Sequence, residues 1–282
     1  MSLTEQLRAA TARLAEAGVP SARHDAEVLA GHVLGRPRPQ VAVMALRGDD
    51  VVLPVVFDDL VDERARRVPL QHLTGTAPFR DVQLRVGPGV FVPRPETELV
   101  AGAAIAFARE LPAPVVVDLC TGSGAIAVAV AREVPGARVH AVELSEHALA
   151  WAARNVEDLA PAVDLRLGDA AQAFGDLDGA VDVVVSNPPY IPPDSEPVDP
   201  EVRDHDPAVA LYGLGPDGLQ VPRAVVAAAA RLLRPGGLVV MEHADVQQAA
   251  LLRSLTASGL WLDEAGHTDL TGTPRYVSAR RA

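Results

Sequence analysis

The sequence predicts an α/β protein: a doubly wound parallel sheet that follows a small N-terminal helical domain. Three observations carry the prediction. From Val115 onward, short apolar runs such as Val115-Val116-Val117-Asp118-Leu119 and Val181-Asp182-Val183-Val184-Val185-Ser186 alternate with segments of helical period. A glycine-rich loop, Cys120-Thr121-Gly122-Ser123-Gly124, joins the first run to a helical stretch. Before about residue 70 the pattern is helical only, so the architecture changes once along the chain.

At the N-terminus, Leu3, Leu7, Ala10 and Leu14 recur at helical spacing until Gly18-Val19-Pro20. Ser21 can cap a second helix containing Ala26, Leu29 and Leu34, which Gly35-Arg36-Pro37 ends. Pro54 to Arg67 reads as a third, with Phe57, Leu60 and Val61 inward. Residues 1–70 hold nine Arg and ten Asp or Glu, which is no basic nucleic-acid arm. A scaffold bundle and a docking module for a macromolecular substrate both fit. Residues 71–93 change period. Val82, Leu84 and Val86 alternate with polar residues, Gly87-Pro88-Gly89 turns, and Val90-Phe91-Val92 returns, a β-hairpin linking two domains.

Residues 94–282 form the α/β domain. Pro93-Arg94-Pro95-Glu96-Thr97-Glu98 leads into a helix with Leu99, Val100 and Ile105, started by Thr97 or a neighbour. Arg94 and Glu96 read either as a surface ion pair or as a pocket wall. Strand one is Val115–Leu119, followed by a helix from Ala125 to Arg132. Strand two runs from Val139 to Leu144, and Ser145 can cap the next helix to about Asn155. Strand three is Val163 to Leu167 and strand four Val181 to Ser186. A helix from Gly218 to Arg234, a turn at Pro235-Gly236-Gly237 and strand five, Leu238 to Glu242, come next. A helix from Ala244 to Ser258 precedes two short apolar runs. Right-handed crossovers give the order 3-2-1-4-5. Residues 192–209, rich in Pro, Asp and Glu, are either a surface loop or a lid.

Strand four delivers Asn187-Pro188-Pro189-Tyr190 to its carboxyl end, where open α/β sheets bind ligands. Two prolines cannot extend a central strand, so the chain turns there. Asn187 offers a side-chain acceptor and an NH2 donor, the Pro188 carbonyl a second acceptor, and Tyr190 an aromatic face. The set suits a planar NH2 group. A proline-rich strand exit with a satisfied Asn is the plainer reading.

The glycine loop alone suits a dinucleotide and S-adenosylmethionine alike. Two features favour the second. Asp118, at the end of strand one, can reach an amino acid ammonium, whereas a carboxylate there would repel a pyrophosphate. Strands one and four are neighbours in the expected order, so Gly122 to Gly124 and Asn187 face one crevice. Glu143, ending strand two, suits a ribose diol. Asp169, after strand three, is an adenine neighbour or a helix cap.

Composition narrows the rest. Hydrophobic residues are 49% and charged residues 22%, as in a globular protein. A formal charge of −12, with no Lys and no run of Arg, argues against non-specific binding to nucleic acid. Cys120 is the only cysteine, and the eight His are scattered, so neither a disulfide nor a metal site is expected. No apolar run spans a membrane and no signal pattern opens the chain, so a cytoplasmic protein without membrane contact is expected.

These residues resemble the protein-(glutamine-N5) methyltransferases that act on peptide chain release factors. The resemblance covers nearly the whole chain. It includes residues 93–98, Asp118 to Gly124, Asn187 to Tyr190, Asp206-Pro207, Ala210-Leu211, Asp217-Gly218-Leu219, Glu242-His243 and Asp269-Leu270-Thr271-Gly272. It implies a Rossmann-like class I methyltransferase domain and transfer of methyl from S-adenosylmethionine to a glutamine amide nitrogen in a Gly-Gly-Gln loop. It implies that Cys120, Thr121, Gly122, Ser123, Gly124, Glu143, Ala170 and Asn187 line the cofactor. Asn187, Pro188, Pro189 and Tyr190 would hold the glutamine. The family's partner would be a release factor, and a monomer is expected. Two positions depart from the family: Cys120 stands where Gly is usual, and Ala208 where Arg is usual. Adenine-N6 methylating enzymes share the four-residue motif, an NAD-dependent oxidoreductase shares the glycine loop, and a non-catalytic scaffold could share the fold.

Overall fold

A computed structural model describes residues 2–282, which divide into two compact units. One comprises the chain up to Thr76 together with Pro197–His205; the other comprises Ala77–Glu196 and Asp206–Ala282.

The first unit is built on α1 (Leu3–Glu16), α2 (Ala22–Leu34), α3 (Arg38–Arg47), α4 (Val56–Ala65) and α5 (Leu70–Thr74). Leu3, Leu7, Leu14, Leu29, Val41, Phe57 and Val61 fill its core. Ser2 and Glu5 form a reciprocal capping box on α1. Ser21 does not cap α2 as expected. Its hydroxyl donates to Asp25 Oδ1 at 2.7 Å, and Asp25 is itself held by Arg64. The helix α3 escapes sequence reading because Val43 and Leu46 on it are exposed, which blurs its period. Pro39 in its first turn and left-handed Gly48 after its end were the available signals.

The second unit contains, in chain order, β1 (Thr76–Phe79), β2 (Val82–Arg85), α6 (Thr97–Arg109), β3 (Val115–Leu119), α7 (Ala125–Glu133), β4 (Arg138–Glu143), α8 (Glu146–Leu159), β5 (Asp164–Leu167) and β6 (Val181–Ser186). Then come α9 (Pro200–His205, in the first unit), α10 (Ala208–Leu211), α11 (Gln220–Leu232), β7 (Leu233–Glu242), α12 (Gln248–Ser258), β8 (Trp261–Thr268) and β9 (Pro274–Arg281). Residues 192–209 are therefore not one structureless loop. Within the first unit, Glu201 of α9 meets Arg64 at 2.7 Å and Arg67 at 2.8 Å.

The seven-stranded sheet has the order β5-β4-β3-β6-β7-β9-β8. Its first five strands are parallel and reproduce the expected 3-2-1-4-5; β9 runs antiparallel to β7 and β8. Helices cover both faces. Side chains of α6, α7 and α8 share a core with Val116, Val183 and Val185, while those of α11 and α12 pack with Val115, Val117 and Val184. Alternate residues of each strand feed opposite cores, which is why the strands read as unbroken apolar runs.

Two details correct the sequence reading. The hairpin is β1–β2, turning at Arg80-Asp81, and Val90 to Val92 do not return as a strand. Among the described residues β2 pairs in that sheet with β1 alone, and Gly87 lies against Trp151, where a Cβ would approach the ring to 2.5 Å. Pro235-Gly236-Gly237 lies inside β7 as an irregularity rather than before it: pairing with β6 jumps from Val181↔Leu233 to Val183↔Leu238.

Candidate active site

The carboxyl ends of β3, β4, β5 and β6 make the site. The register pairs Leu119 with Ser186, so the next residues, Cys120 and Asn187, leave adjacent strands side by side. Ser186 Oγ donates to the Leu119 carbonyl at 2.6 Å and ties the two exits together.

Past β3 the chain turns tightly. Cys120, Gly122 and Gly124 all take the left-handed conformation, with φ of 63°, 59° and 84°. Thr121 N donates to the Val142 carbonyl at 3.0 Å, and Gly124 N to the Thr121 carbonyl at 2.9 Å. Asn155 Nδ2 donates to the Ser123 carbonyl at 2.9 Å and fixes the loop from α8. Asp118 is buried beneath it. Its Oδ2 accepts from Thr121 Oγ1 and, at 3.1 Å, from Ala127 N, while its Oδ1 has no partner. Burial pushes this carboxyl up to about 7, against those two hydrogen bonds.

Glu143, ending β4, accepts from Gly122 N and Ser145 N, each at 2.8 Å. Burial raises its carboxyl too, although the backbone donors oppose the shift. Each oxygen keeps a further lone pair for a hydroxyl. After β5, Asp169 is exposed and Oδ1 accepts from Ala171 N at 2.9 Å, so it closes a local turn; Ala170 beside it is buried.

At the end of β6, Asn187 Nδ2 donates to Thr97 Oγ1 at 3.2 Å. Thr97 Oγ1 donates in turn to Glu242 Oε2 at 2.8 Å, and the Tyr190 hydroxyl donates to Glu242 Oε1 at 3.3 Å. Burial pushes the Glu242 carboxyl up to about 7, and burial together with Glu242 raises the Tyr190 hydroxyl well above the usual phenol range. Pro188 is buried, and Pro189 and Tyr190 are partly so. The backbone is clasped as well. Tyr190 N and Ile191 N both donate to the Leu211 carbonyl, at 3.1 and 2.8 Å, and Gln247 Nε2 bridges the carbonyls of Tyr190 and Asp217 at 2.7 and 3.0 Å. A Cβ at Gly218 would stand 2.3 Å from the Tyr190 carbonyl, so only glycine permits this approach.

The structure thus gathers Asp118, Cys120 to Gly124, Glu143, Asp169, Ala170 and Asn187 to Tyr190 along adjacent strand ends. Thr97, Glu242 and Gln247 were not read as site residues. Thr97 looked like a helix start and Glu242 a strand end. Nothing local marks the pair, although both lie in segments that carry the family resemblance. Arg94 does not pair with Glu96: Nη2 meets Asp206 Oδ2 at 2.7 Å and the guanidinium lies over the Phe91 ring, 5.0 Å from its centroid. Among the described residues, no group of three or more His, Cys, Asp and Glu is arranged to hold a metal ion, and no helix is long and apolar enough to cross a membrane.

The chemistry of the cradle fits S-adenosylmethionine. A buried carboxylate oxygen without a partner suits an ammonium, an acidic strand end suits a diol, and a left-handed loop brings backbone close to a ligand.

Comparison with known proteins agrees in kind. Residues 5–75 match the family model of the PrmC N-terminal domain and residues 82–197 that of the methyltransferase small domain. The release factor glutamine methyltransferase of Streptomyces coelicolor is 53% identical over 283 residues, covering 99% of this chain and 98% of the relative. The release factor glutamine methyltransferase of Mycobacterium tuberculosis H37Rv is 47% identical over 288 residues, covering 100% and 92%. A crystal structure of the release factor-specific protein-(glutamine-N5) methyltransferase from Alicyclobacillus acidocaldarius aligns with a TM-score of 0.44 at 28% identity, over 70% of this chain and 98% of that one.

Proposed function

The chain belongs to the release factor glutamine methyltransferases, and from that premise we propose that it transfers a methyl group from S-adenosylmethionine to the side-chain amide nitrogen (N5) of a glutamine in the Gly-Gly-Gln loop of a release factor. One observation carries the reading: the register Leu119↔Ser186 sets the glycine loop and Asn187 on neighbouring strand exits, cofactor cradle beside amide clasp. The full-length relatives favour a protein glutamine over a nucleic-acid amino group.

Bound in this cradle, S-adenosylmethionine supplies a methyl on a positively charged sulfur. Asp118 Oδ1 would receive the ammonium, Glu143 the ribose hydroxyls, and Asp169 and Ala170 would flank the adenine. Cys120 to Gly124 would line the methionine part with backbone. An amide nitrogen is a poor nucleophile, because its lone pair is delocalised, and no side chain of ordinary pKa would deprotonate it first. Placement is therefore the main device. Asn187 Oδ1 and the Pro188 carbonyl accept the two amide hydrogens and aim the nitrogen, while the Tyr190 ring lies against the amide plane and Pro189 shapes the turn. Orientation of this kind is worth on the order of 7 kcal/mol or more when the geometry is good. The two acceptors also favour positive charge developing on nitrogen.

In this reading the first unit docks the release factor. The protein works in the cytoplasm as a monomer, without a metal, a membrane or direct nucleic-acid contact. Mass spectrometry of a release factor incubated with the enzyme and isotope-labelled S-adenosylmethionine tests it. A labelled methyl on the Gly-Gly-Gln glutamine is expected. An unmodified glutamine, or label elsewhere, overturns it.

A further inference from the structure

We propose that Thr97 and Glu242 are positioning residues that set the polarity of the Asn187 amide, so that Oδ1 rather than Nδ2 meets the substrate nitrogen. The inference rests on the reading of Asn187 as the glutamine-binding residue.

A side-chain amide turned end for end keeps nearly the same shape but exchanges acceptor for donor. The substrate NH2 is itself a donor. An Asn187 free to turn would present it with Nδ2 in one of its two orientations and repel it. Something must choose, and the chain of hydrogen bonds at the end of β6 does so. Above about pH 7, where its carboxyl is ionised, Glu242 only accepts. Buried at 1% exposure, it takes the single hydrogen of Thr97 at 2.8 Å. Thr97, buried at 4%, then has only lone pairs to offer Asn187, and the partner that satisfies them is Nδ2, at 3.2 Å. Oδ1 is left as the face the amide presents.

The same carboxylate receives the Tyr190 hydroxyl through its other oxygen, so one buried acid orders both side chains of the substrate clasp. No local motif announces this. Thr97 opens α6, Glu242 ends β7, and the sheet brings them together.

The charged and titratable neighbours of Glu242 are Glu96 before α6, Tyr190 after β6 and Arg275 on β9. Arg275 favours the ionised form, and Glu96 opposes it.

The test uses the full-length enzyme with a release factor and with S-adenosylmethionine alone. Thr97→Val removes the hydroxyl while keeping the shape. It should lower kcat by about tenfold or more and leave the S-adenosylmethionine Kd within about twofold. Thr97→Ser should recover most of the loss. In the 15N-labelled parent the Asn187 NH2 protons should exchange slowly with solvent, as should those of Thr97→Ser but not those of Thr97→Val. On an Asn187→Ala background, Thr97→Val should cost nothing further. Should Thr97→Val fold poorly, Glu242→Gln gives the second reading. Its amide must turn a donor toward either Thr97 or Tyr190, so kcat should again fall at unchanged cofactor affinity. Parental kcat in Thr97→Val, with Asn187→Ala inactive, would overturn the positioning role and leave the site intact. Cofactor binding lost together with kcat would make Thr97 a general structural residue and also overturn it. Parental kcat in Asn187→Ala would instead overturn the reading of the site itself.

Discussion

The two strand exits that meet at the site are built in opposite ways. Beyond β3, the cradle is made almost entirely by nearby sequence and backbone. Asp118 accepts from Thr121 three residues on, Gly122 donates to Glu143 across 21 residues, and left-handed residues shape the loop. Beyond β6, four residues form the clasp, but distant side chains hold it. Asn187 reaches Thr97 across 90 residues, Thr97 reaches Glu242 across 145, and Gln247 reaches back 57 to Tyr190. A local cradle can be recognised from a short motif. A clasp assembled by the sheet can be recognised only at its tip, and its orientation is set out of sight.

That contrast is most sharply tested at Asn187. Asn187→Ala should lower kcat by two to four orders of magnitude, roughly 3–5 kcal/mol of transition-state stabilisation, with little effect on S-adenosylmethionine affinity. Asn187→Asp sharpens the point. It keeps an acceptor and the size, but puts a carboxylate oxygen against Thr97 Oγ1, whose hydrogen is already given to Glu242. The Asp variant should therefore be as inactive as Ala. Substantial turnover in it would show that Thr97 can reverse its hydrogen bond and that the clasp is less rigid than drawn. Steady-state kinetics with a release factor decide between these outcomes.

On the cradle side, Glu143→Ala should raise the S-adenosylmethionine Kd by about 10- to 100-fold, the effect of losing charge-assisted hydrogen bonds of roughly 1.5–3 kcal/mol. At saturating cofactor, kcat should change far less than in the Asn187 variants. Calorimetric titration showing equal affinity in variant and parent would remove Glu143 from the cradle.

Protonation links the two ends. Asp118 and Glu242 both have carboxyls pushed up to about 7 by burial. Between their ordinary values and 7, the folded chain holds protons that the unfolded chain has released. The contribution of these groups to stability is therefore present at low pH and is lost as pH rises through that window, by on the order of 3–4 kcal/mol each. Asp269 acts in the opposite sense. Its carboxyl is held down at about 2 by Thr271, so what it contributes is lost only in acid, as pH falls through 2. Asp118→Asn should flatten the decline in Tm between pH 5 and 7, and so should Glu242→Gln. A bound ammonium would favour the charged Asp118, so S-adenosylmethionine binding should release protons below about pH 7 and weaken on acidification. Calorimetry in buffers of different ionisation enthalpy would measure the release. Binding without proton release across this range would separate Asp118 from the ammonium.

Much of the fold was legible because it rests on short-range pattern. The runs at Val115 and Val181 are uniformly apolar because both faces of the sheet are covered, and the five parallel strands follow in the expected order. Where local pattern and tertiary context part, sequence reading fails. Gly87-Pro88-Gly89 resembles a hairpin turn but lies against Trp151, whose Nε1 donates to the Pro88 carbonyl at 3.2 Å. Pro235-Gly236-Gly237 resembles a stop but is absorbed within β7. Pro197–His205 looks like part of a long connection in the α/β domain, yet it belongs to the first unit, because Glu201 answers the buried Arg64, whose partner Asp25 lies on α2. In the candidate site, the residues of one loop or one motif were legible as a group, and Thr97, Glu242 and Gln247, which hold the end of β6, were not. Their roles exist only once strands distant in sequence are neighbours.

The smallest expected effect belongs to Cys120, and its direction is informative. This non-glycine residue sits at φ 63°, in a loop whose other left-handed positions are Gly122 and Gly124. An L-residue there is strained by roughly 1–2 kcal/mol. Glycine removes the strain but loosens the unfolded chain by up to about 1 kcal/mol and gives up the thiol's packing against the core beneath α11 and α12. Cys120→Gly should thus change stability by no more than ~1 kcal/mol. Cys120→Ala keeps the strain and still loses the sulfur, so it should be the least stable of the three. A smaller residue outperforming a larger one at a partly buried position is the mark of backbone strain rather than packing. Burial, reinforced by the nearby Glu143 and Asp118, raises the thiol far above its ordinary pKa, so it stays protonated and is no nucleophile. Both variants should therefore keep most of the parental kcat. Thermal unfolding gives the order of stability and steady-state kinetics the activity. Alanine equal to or more stable than glycine would deny the strain, and loss of nearly all turnover in a folded Cys120→Gly would assign the thiol a part in the reaction.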